Sequence, residues 1–422
     1  MQTKGMNPIN IYQIVGPIVL VCILLEWAYC MVKKNGYYSF QDSVIGIGTM
    51  VTAQCVNIYV AFLVIKSYGW VYNHLALTHI EPSWYNYILC YLGVDFLFYW
   101  FHRAGHRVNV LWAAHVPHHS AEELNYAVAL RASLTQRAAS FLFYWPLAVI
   151  GFSPTIIIPV VALNLVLQFL PHTRVIPKLP TWIDSWLNTP WHHRIHHAAN
   201  VIYWDRNYGG TFIIWDKMFE TYREETEEPY YGVAIHPRSW DPTYLNLHWF
   251  LHIVDDTKKA PFFIDKIKVW FMPPGWRPRG LPEYEKPDAV TARNQVKYKS
   301  VPTPGSHAYI IGQIPSVMVI LFWFSRAGSP LSGWEQFTLS FLLWIAVTIW
   351  AGFFESKRWA MPLEVARLLL TTIALIAIFQ KHGMNQDLTR TAMGVCVFYL
   401  GWLGFFVGHR KGHKAGLTPS PS

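Results

Sequence analysis

Long apolar runs separated by short polar connections dominate the first 170 and the last 115 or so positions of this chain. A membrane-crossing helix needs about 20 mostly apolar residues. Three early runs meet that length: Ile11 to Met31, closed at once by Lys33 and Lys34; Val44 to Ile65, closed by Lys66; and Trp84 to Phe101, which leads directly into His102 and Arg103. A longer run, 139–170, is interrupted by Gly151-Phe-Ser-Pro154. Gly and Pro at its middle predict two helices and a turn, a hairpin whose two ends lie on one side of the bilayer. The one long polar region, Pro171 to Ser306, follows, and then four further apolar runs near 308–324, 334–354, 360–379 and 391–408. The pattern predicts an all-α integral membrane protein, a multi-span helical bundle. Its regions are an N-terminal three-span part (1–101), a histidine-rich part with the membrane hairpin 139–170 (102–306), and a C-terminal four-span extension with a basic tail (307–422). The first run has no small-residue cleavage site after it and is expected to stay as an anchor.

Composition agrees. Of 422 residues, 53% are hydrophobic, 16% aromatic and only 14% charged, against roughly 25% charged in an ordinary soluble domain. Twenty-one tryptophans and twenty-three tyrosines suit many membrane–water interfaces. The net charge of +9 does not point to nucleic acid, because the basic residues are dispersed among apolar runs. A positive-inside bias accounts for them. With Lys33 and Lys34 in the cytosol, an alternating path places His102, His172, Lys357-Arg358 and the tail His409-Arg-Lys-Gly-His-Lys414 there too, leaving Arg326 and Lys381 on the far side. The five cysteines show no C-x-x-C spacing and read as small buried hydrophobes. The acidic run Glu224 to Glu228 reads as a solvated face.

Against this background the histidines stand out. About half of the nineteen fall between 102 and 197, as His102-x-x-x-His106, His115-x-x-His118-His119, His172, and His193-x-x-His196-His197, with His192 adjacent. A lone histidine is more often structural than a ligand, and His74, His79, His236, His248, His252, His307 and His382 receive that reading; His409 and His413 read as membrane-surface charge. The clustered ones differ. Positions four apart on a helix share a face, and H-x-x-H-H occurs twice, each copy expected to form a three-toothed face on one turn. Nine imidazoles are too many for one metal and suit two neighbouring metals with some four or five each. Asp95, about two turns before His102, is expected to accept the spare N–H of a liganding ring. Gln168, four residues before His172, stands where another ligand could sit. The absence of softer ligands favours iron or zinc over copper(I). Glu364 and Arg367, three apart in an apolar run, are expected to form an intramembrane pair.

The spacing H-x3-H, H-x2-H-H, H-x2-H-H resembles the fatty acid hydroxylase/sterol desaturase superfamily of integral-membrane di-iron oxygenases. A finer resemblance, to its glyceryl-ether-oxidising members, is carried by several stretches. These are Gly93-Val-Asp-Phe96 with Tyr99-Trp-Phe-His-Arg103, Asn109-Val-Leu-Trp-Ala-Ala-His115, His118-His-Ser120, Ala129-Leu-Arg131, Asn188-Thr-Pro190, and Asn207-Tyr-Gly209 with Ile214-Trp-Asp-Lys217. Glu26, the Gly275-Trp276 turn, and Glu364 with Arg367 extend it along the chain. Trp191, where a smaller residue is expected, and Ala198, where glycine is expected, depart from it. The resemblance implies two irons held by His102, His106, His115, His118, His119, His172, His193, His196 and His197, with Asp95 orienting a ligand. It also implies tetrahydrobiopterin and O2 as co-reactants, and a lipid substrate arriving from the bilayer. Glu122 and Asn125 could contact pterin or substrate, or could simply begin an exposed helix. The membrane would be that of the endoplasmic reticulum, or the inner membrane of a bacterium. Sterol or acyl-chain oxidation with electrons from a cytochrome b5 chain shares the same histidines. A metal transporter or sensor is disfavoured, because its ligands would sit near the midplane at a repeat interface.

Overall fold

A computed structural model describes residues 11–283, 293–326 and 329–415, with side chains from 15 to 405, so the side chains of the basic tail His409–Lys414 lie outside the described residues. The described residues form helices and connecting loops, with three isolated bridges and no strand. Among the described residues, six helices are long and apolar enough to cross a membrane. They are α1 (Ile11–Lys33), α2 (Phe40–Leu75), and the four C-terminal helices α14 (Ser306–Ser325), α15 (Gly333–Phe354), α16 (Ala360–Lys381) and α17 (Gln386–Ala415). Between α2 and α14 lie α3 (Trp84–Arg107), α4 (Asn109–Ala113), α5 (Val116–His119), α6 (Gln136–Ser140), α7 (Trp145–Ile150) and α8 (Pro154–Phe169), then α9 (Thr181–Asp184), α10 (Pro190–His196), α11 (Ile214–Met218), α12 (Pro242–Lys259) and α13 (Phe263–Phe271). This is an integral membrane protein of helical class, as the apolar pattern predicts.

Two expected spans come out differently. The third is a helix, α3, but it runs unbroken through His102, His106 and Arg107, and it is not among the six. The expected hairpin has a short second limb, α8, of 16 residues, about 24 Å at 1.5 Å per residue. Its first limb is broken into α6, a 3-10 turn over Phe141–Tyr144, and α7. In contrast α2 reaches 36 residues, about 54 Å and well beyond the roughly 30 Å of bilayer hydrocarbon.

The chain divides into two compact units, Met1–Arg238 with Tyr244–Lys297, and Ser239–Thr243 with Tyr298–Ser422. The first unit runs across position 101, where α3 continues unbroken into His102 and His106. At one end of this unit the α2–α3 connection meets the α7–α8 turn: Leu77 N–H donates to Val149 O at 2.8 Å, and Ile80 N–H to Gly151 O at 2.9 Å. At the other end Glu26 of α1 accepts from Tyr38 OH at 2.7 Å, from Tyr126 N–H at 2.7 Å and from the Thr173 hydroxyl. Asp42 of α2 pairs with the buried Arg131 at 2.7 Å. The hairpin therefore extends from the histidine end to the level of the α2–α3 connection. An apolar core that includes Tyr68, Val94, Leu147, Phe152 and Ile156 fills the space between.

The second unit holds the expected buried pair. Glu364 of α16 accepts from Arg367 at 2.6 and 2.7 Å, and from Tyr309 OH and Gln313 Nε2 of α14 at 2.6 Å each. The pair ties α14 to α16 inside this unit.

The turn at Gly151 has φ 125°, and a Cβ there would stand 2.3 Å from Thr78 O. Gly151→Ala should therefore destabilise the first unit by about 1–3 kcal/mol, read as an earlier thermal unfolding of the detergent-solubilised protein. An unchanged midpoint would count against the close approach.

Candidate metal centre

Four segments bring histidines to the end of the first unit where Glu26 and Asp42 lie. The last turns of α3 present His102 and His106. The chain then reverses through α4, and His115 opens the single turn of α5, which carries His118 and His119. His172 follows α8, its N–H bonded to Phe169 O at 3.2 Å. Pro190 begins α10, where Thr189 and His192 form a capping box, and His193, His196 and His197 follow. His192 is thus used as a cap, with Thr189 N–H donating to its Nδ1 at 3.4 Å.

The nine rings gather in two groups: His102, His106, His115, His119 and His196; and His118, His172, His193 and His197. Within each group, one nitrogen per ring lies within 4.8 Å of the others. The expected three-toothed faces do not form. Each H-x-x-H-H motif instead splits, sending its first and last histidines to one group and its middle histidine to the other. The reason is helical: at about 100° per residue, i and i+4 stand some 40° apart, whereas i+3 is displaced to the other side.

Ring orientation is set by main-chain carbonyls. His102 Nδ1–H donates to Tyr208 O at 2.8 Å, His196 to Arg206 O at 2.9 Å, His118 to Arg131 O at 3.0 Å, and His172 to Gln168 O at 2.8 Å. Burial holds His118 down to about 4 and lowers His172, His193, His196 and His197 well below the ordinary imidazole range, neighbouring histidines adding to the effect in the last four. A neutral ring has one proton, and in His118 and His172 the carbonyl takes it at Nδ1. Their Nε2 atoms, 3.1 Å apart, are therefore two lone pairs facing each other. His193 Nε2 also stands 3.0 Å from His172 Nε2 and 3.0 Å from His197 Nε2. The Nε2 atoms of His106 and His196 are buried without a hydrogen-bond partner. Converging imidazole nitrogens, four of them with the proton held away on Nδ1 by a carbonyl, are the arrangement of a metal site, and the residues present fit a cation in each group.

The loop 206–212 that supplies two of these carbonyls is clamped by two carboxylates. Asp216 of α11 accepts from Tyr208 N–H and Gly209 N–H at 2.7 Å each, and burial pushes its carboxyl up to about 6. Asp95 accepts from Thr211 N–H (2.7 Å), Phe212 N–H (3.1 Å), Trp215 Nε1 (2.9 Å) and Asn164 Nδ2 (2.7 Å). Asp95 thus takes no bond from a histidine ring among the described residues, against expectation, because the loop fills the space between them. Its hold on the centre runs through the loop backbone. Gln168 also differs: its side chain donates to Asn164 Oδ1 at 2.5 Å, and only its carbonyl serves His172.

Glu122 and Asn125 do not begin an exposed helix. Both are buried in a loop, where Glu122 N–H donates to Asp42 Oδ2 at 3.2 Å, and Asn125 spans Tyr37 O (2.8 Å) and Val128 N–H (3.0 Å). The two departures in the third motif have local uses. Trp191 packs under the Arg194 guanidinium at 3.7 Å, and Arg194 pairs with Glu225, so the acidic run is not wholly solvated. Ala198 bridges to Tyr231 without a left-handed backbone, so glycine is not needed there. Residue-type reading missed Asp216 and the Arg206, Tyr208 and Arg131 carbonyls. It also missed Trp112, whose ring lies 5.0 Å from His106 and 5.6 Å from His119. Trp112, Arg131, Tyr208 and Asp216 stand within the stretches that carry the family resemblance, but nothing in those stretches marks the roles they take here.

Asp95→Asn retains the shape but sets an amide against two backbone N–H groups. It should loosen the loop and lower metal retention about 10–100-fold, read as metal content after dialysis against graded chelator. Unaltered retention would disconnect Asp95 from the centre.

The protein-family model for fatty acid hydroxylase matches residues 87–221, a stretch that contains all nine histidines. The chain is 32% identical over 375 residues to alkylglycerol monooxygenase of Xenopus tropicalis, covering 86% of this chain and 75% of the relative. It is 31% identical over 328 residues to that of Homo sapiens (76% and 71%) and 29% identical over 364 residues to that of Caenorhabditis elegans (78% and 69%). No solved structure matches significantly. With histidine groups of this geometry and similarity reaching far beyond the hydroxylase region, the chain belongs to the alkylglycerol monooxygenase family.

Proposed function

We propose that this protein is a membrane monooxygenase of glyceryl ethers, holding two irons with the nine histidines and using O2 and tetrahydrobiopterin. The observation that carries the ether assignment is the 86% coverage of the chain by a relative named alkylglycerol monooxygenase, since the histidine groups alone would equally serve sterol or acyl oxidation. Iron follows from the family resemblance together with an all-imidazole donor set, which lacks the thiolates that would favour a structural zinc site.

Bound iron would supply the oxidising power for an unactivated C–H bond. The chain contributes orientation and dryness. Carbonyls of 131, 168, 206 and 208 fix four ring tautomers, and burial keeps the imidazoles neutral. The group of five histidines would hold one iron and the group of four the other. Hydroxylation beside the ether oxygen gives a hemiacetal, which collapses to a fatty aldehyde and a glycerol hydroxyl. Lys33, Lys34, Arg103 and Arg107 flank the histidine end, which supports a cytosolic orientation. The membrane would be the endoplasmic reticulum in a eukaryote or the inner membrane in a bacterium.

Membranes containing the protein should release aldehyde from a fluorescent-tailed 1-O-alkylglycerol with tetrahydrobiopterin and not with NADH alone. Oxidation of a sterol or acyl lipid with NADH, and none with pterin, would sink the reading. His115→Ala, whose Nε2 stands 3.1 Å from those of His102 and His119, should lose iron and turnover together while still inserting. His192→Asn, outside both groups, should keep its iron, and equal loss in the two would remove the distinction between ligand and cap.

A further inference from the structure

An open cleft of about 450 Å³ lies beside the first histidine group, lined by Arg103 and Arg107 of α3, by Trp204, Asp205, Arg206 and Tyr208 of the loop that follows α10, and by Glu220. Tyr208 is its partition from the centre. The Tyr208 ring stands 5.8, 5.3 and 6.0 Å from the rings of His102, His106 and His196, and its carbonyl holds His102. The backbone is unusual here: Asp205 (φ 60°), Asn207 (φ 55°) and Glu220 (φ 59°) are all left-handed, half of the described non-glycine residues in that conformation. Such a backbone in non-glycine residues is uncommon and gathers at functional sites.

The lining is amphoteric. Three guanidiniums offer donors, two carboxylates offer acceptors, and Trp204, 43% exposed, offers an aromatic face. Arg107 already pairs with Asp205 at 2.5 Å, and Tyr208 OH donates to Asp205 at 3.1 Å. A phosphate would gain the arginines but face both carboxylates. A neutral planar heterocycle with a donor edge and an acceptor edge satisfies both charges and stacks on indole or guanidinium. We propose that this cleft seats the water-soluble pterin reductant, with Tyr208 standing between the pterin and the five-histidine group. The assignment rests on the pterin requirement of the proposed function and adds to it a place on the protein.

The test is calorimetric titration of the full-length, iron-loaded protein in nanodiscs with tetrahydrobiopterin under argon. Asp205→Asn suits the left-handed backbone, which asparagine adopts readily, and removes one acceptor; Trp204→Leu removes the aromatic face. Each should weaken pterin binding by at least about tenfold with iron content unchanged, because the Arg206 and Tyr208 carbonyls remain. Glycerol 3-phosphate should not bind the wild type. Pterin affinity unchanged in both iron-replete variants, or glycerol 3-phosphate in place of pterin, overturns the cleft assignment alone. A wild-type protein that neither binds pterin nor turns over with it overturns the proposed function as well.

Discussion

The facing Nε2 atoms of His118 and His172, both rings having given their one proton to a carbonyl, are the constraint around which the first unit is built. Each ring has one proton and two nitrogens. Where a carbonyl takes the proton, as for His102, His118, His172 and His196, the second nitrogen must face something electron-poor. Here the second nitrogens face one another at about hydrogen-bond distance with no hydrogen between His118 and His172. In the proposed reading, a cation in each group resolves the conflict. The carboxylates, caps and ion pairs around the centre then serve to hold carbonyls in place.

That hierarchy explains the unequal burial of charge. Asp95 and Asp216 sit deep within the first unit and are saturated by backbone N–H groups. A buried carboxylate that accepts several N–H bonds fixes the loop that donates them, because charge-assisted hydrogen bonds are the stronger kind. Arg131 has a double part: its guanidinium is fixed by Asp42 and its carbonyl by His118. The second unit satisfies its buried charge in the same way. Glu364 and Arg367 satisfy one another and draw in Tyr309 and Gln313, so that charge inside an apolar bundle is fully partnered.

Much of this was legible in the residues. Apolar runs show the helical membrane class, and two H-x-x-H-H motifs with H-x3-H mark where donors gather. The division of each motif between two groups was not legible, because it depends on the rotation of α5 and α10 as well as on spacing. The tautomer-setting groups were also invisible, since a carbonyl belongs to every residue and Arg206, Tyr208 and Gln168 carry no side-chain signature of the role. Asp95 shows how proximity misleads: two helical turns before His102 is near in sequence, but the loop 209–212 comes between. Glu122 and Asn125 look like polar surface and are buried, because α2 continues beyond the expected span and packs on them. The close approach of Gly46 in α2 to Ala127, where a Cβ would stand 2.6 Å from the carbonyl oxygen, brings that loop inside.

The split motifs have a consequence for how the centre is assembled. α5 and α10 each stand with teeth in both groups, so neither group can be ordered while the other stays loose. In the proposed reading, the first iron to arrive freezes the two short helices that the second iron needs, and the entropy of ordering them is lost only once. Uptake is then cooperative with no ligand shared between the metals, and a half-loaded protein is a minor species. The same interleaving couples their inheritance. One residue inserted within either motif turns the following teeth by about 100° and removes donors from both metals together, so the pair persists or disappears as a unit.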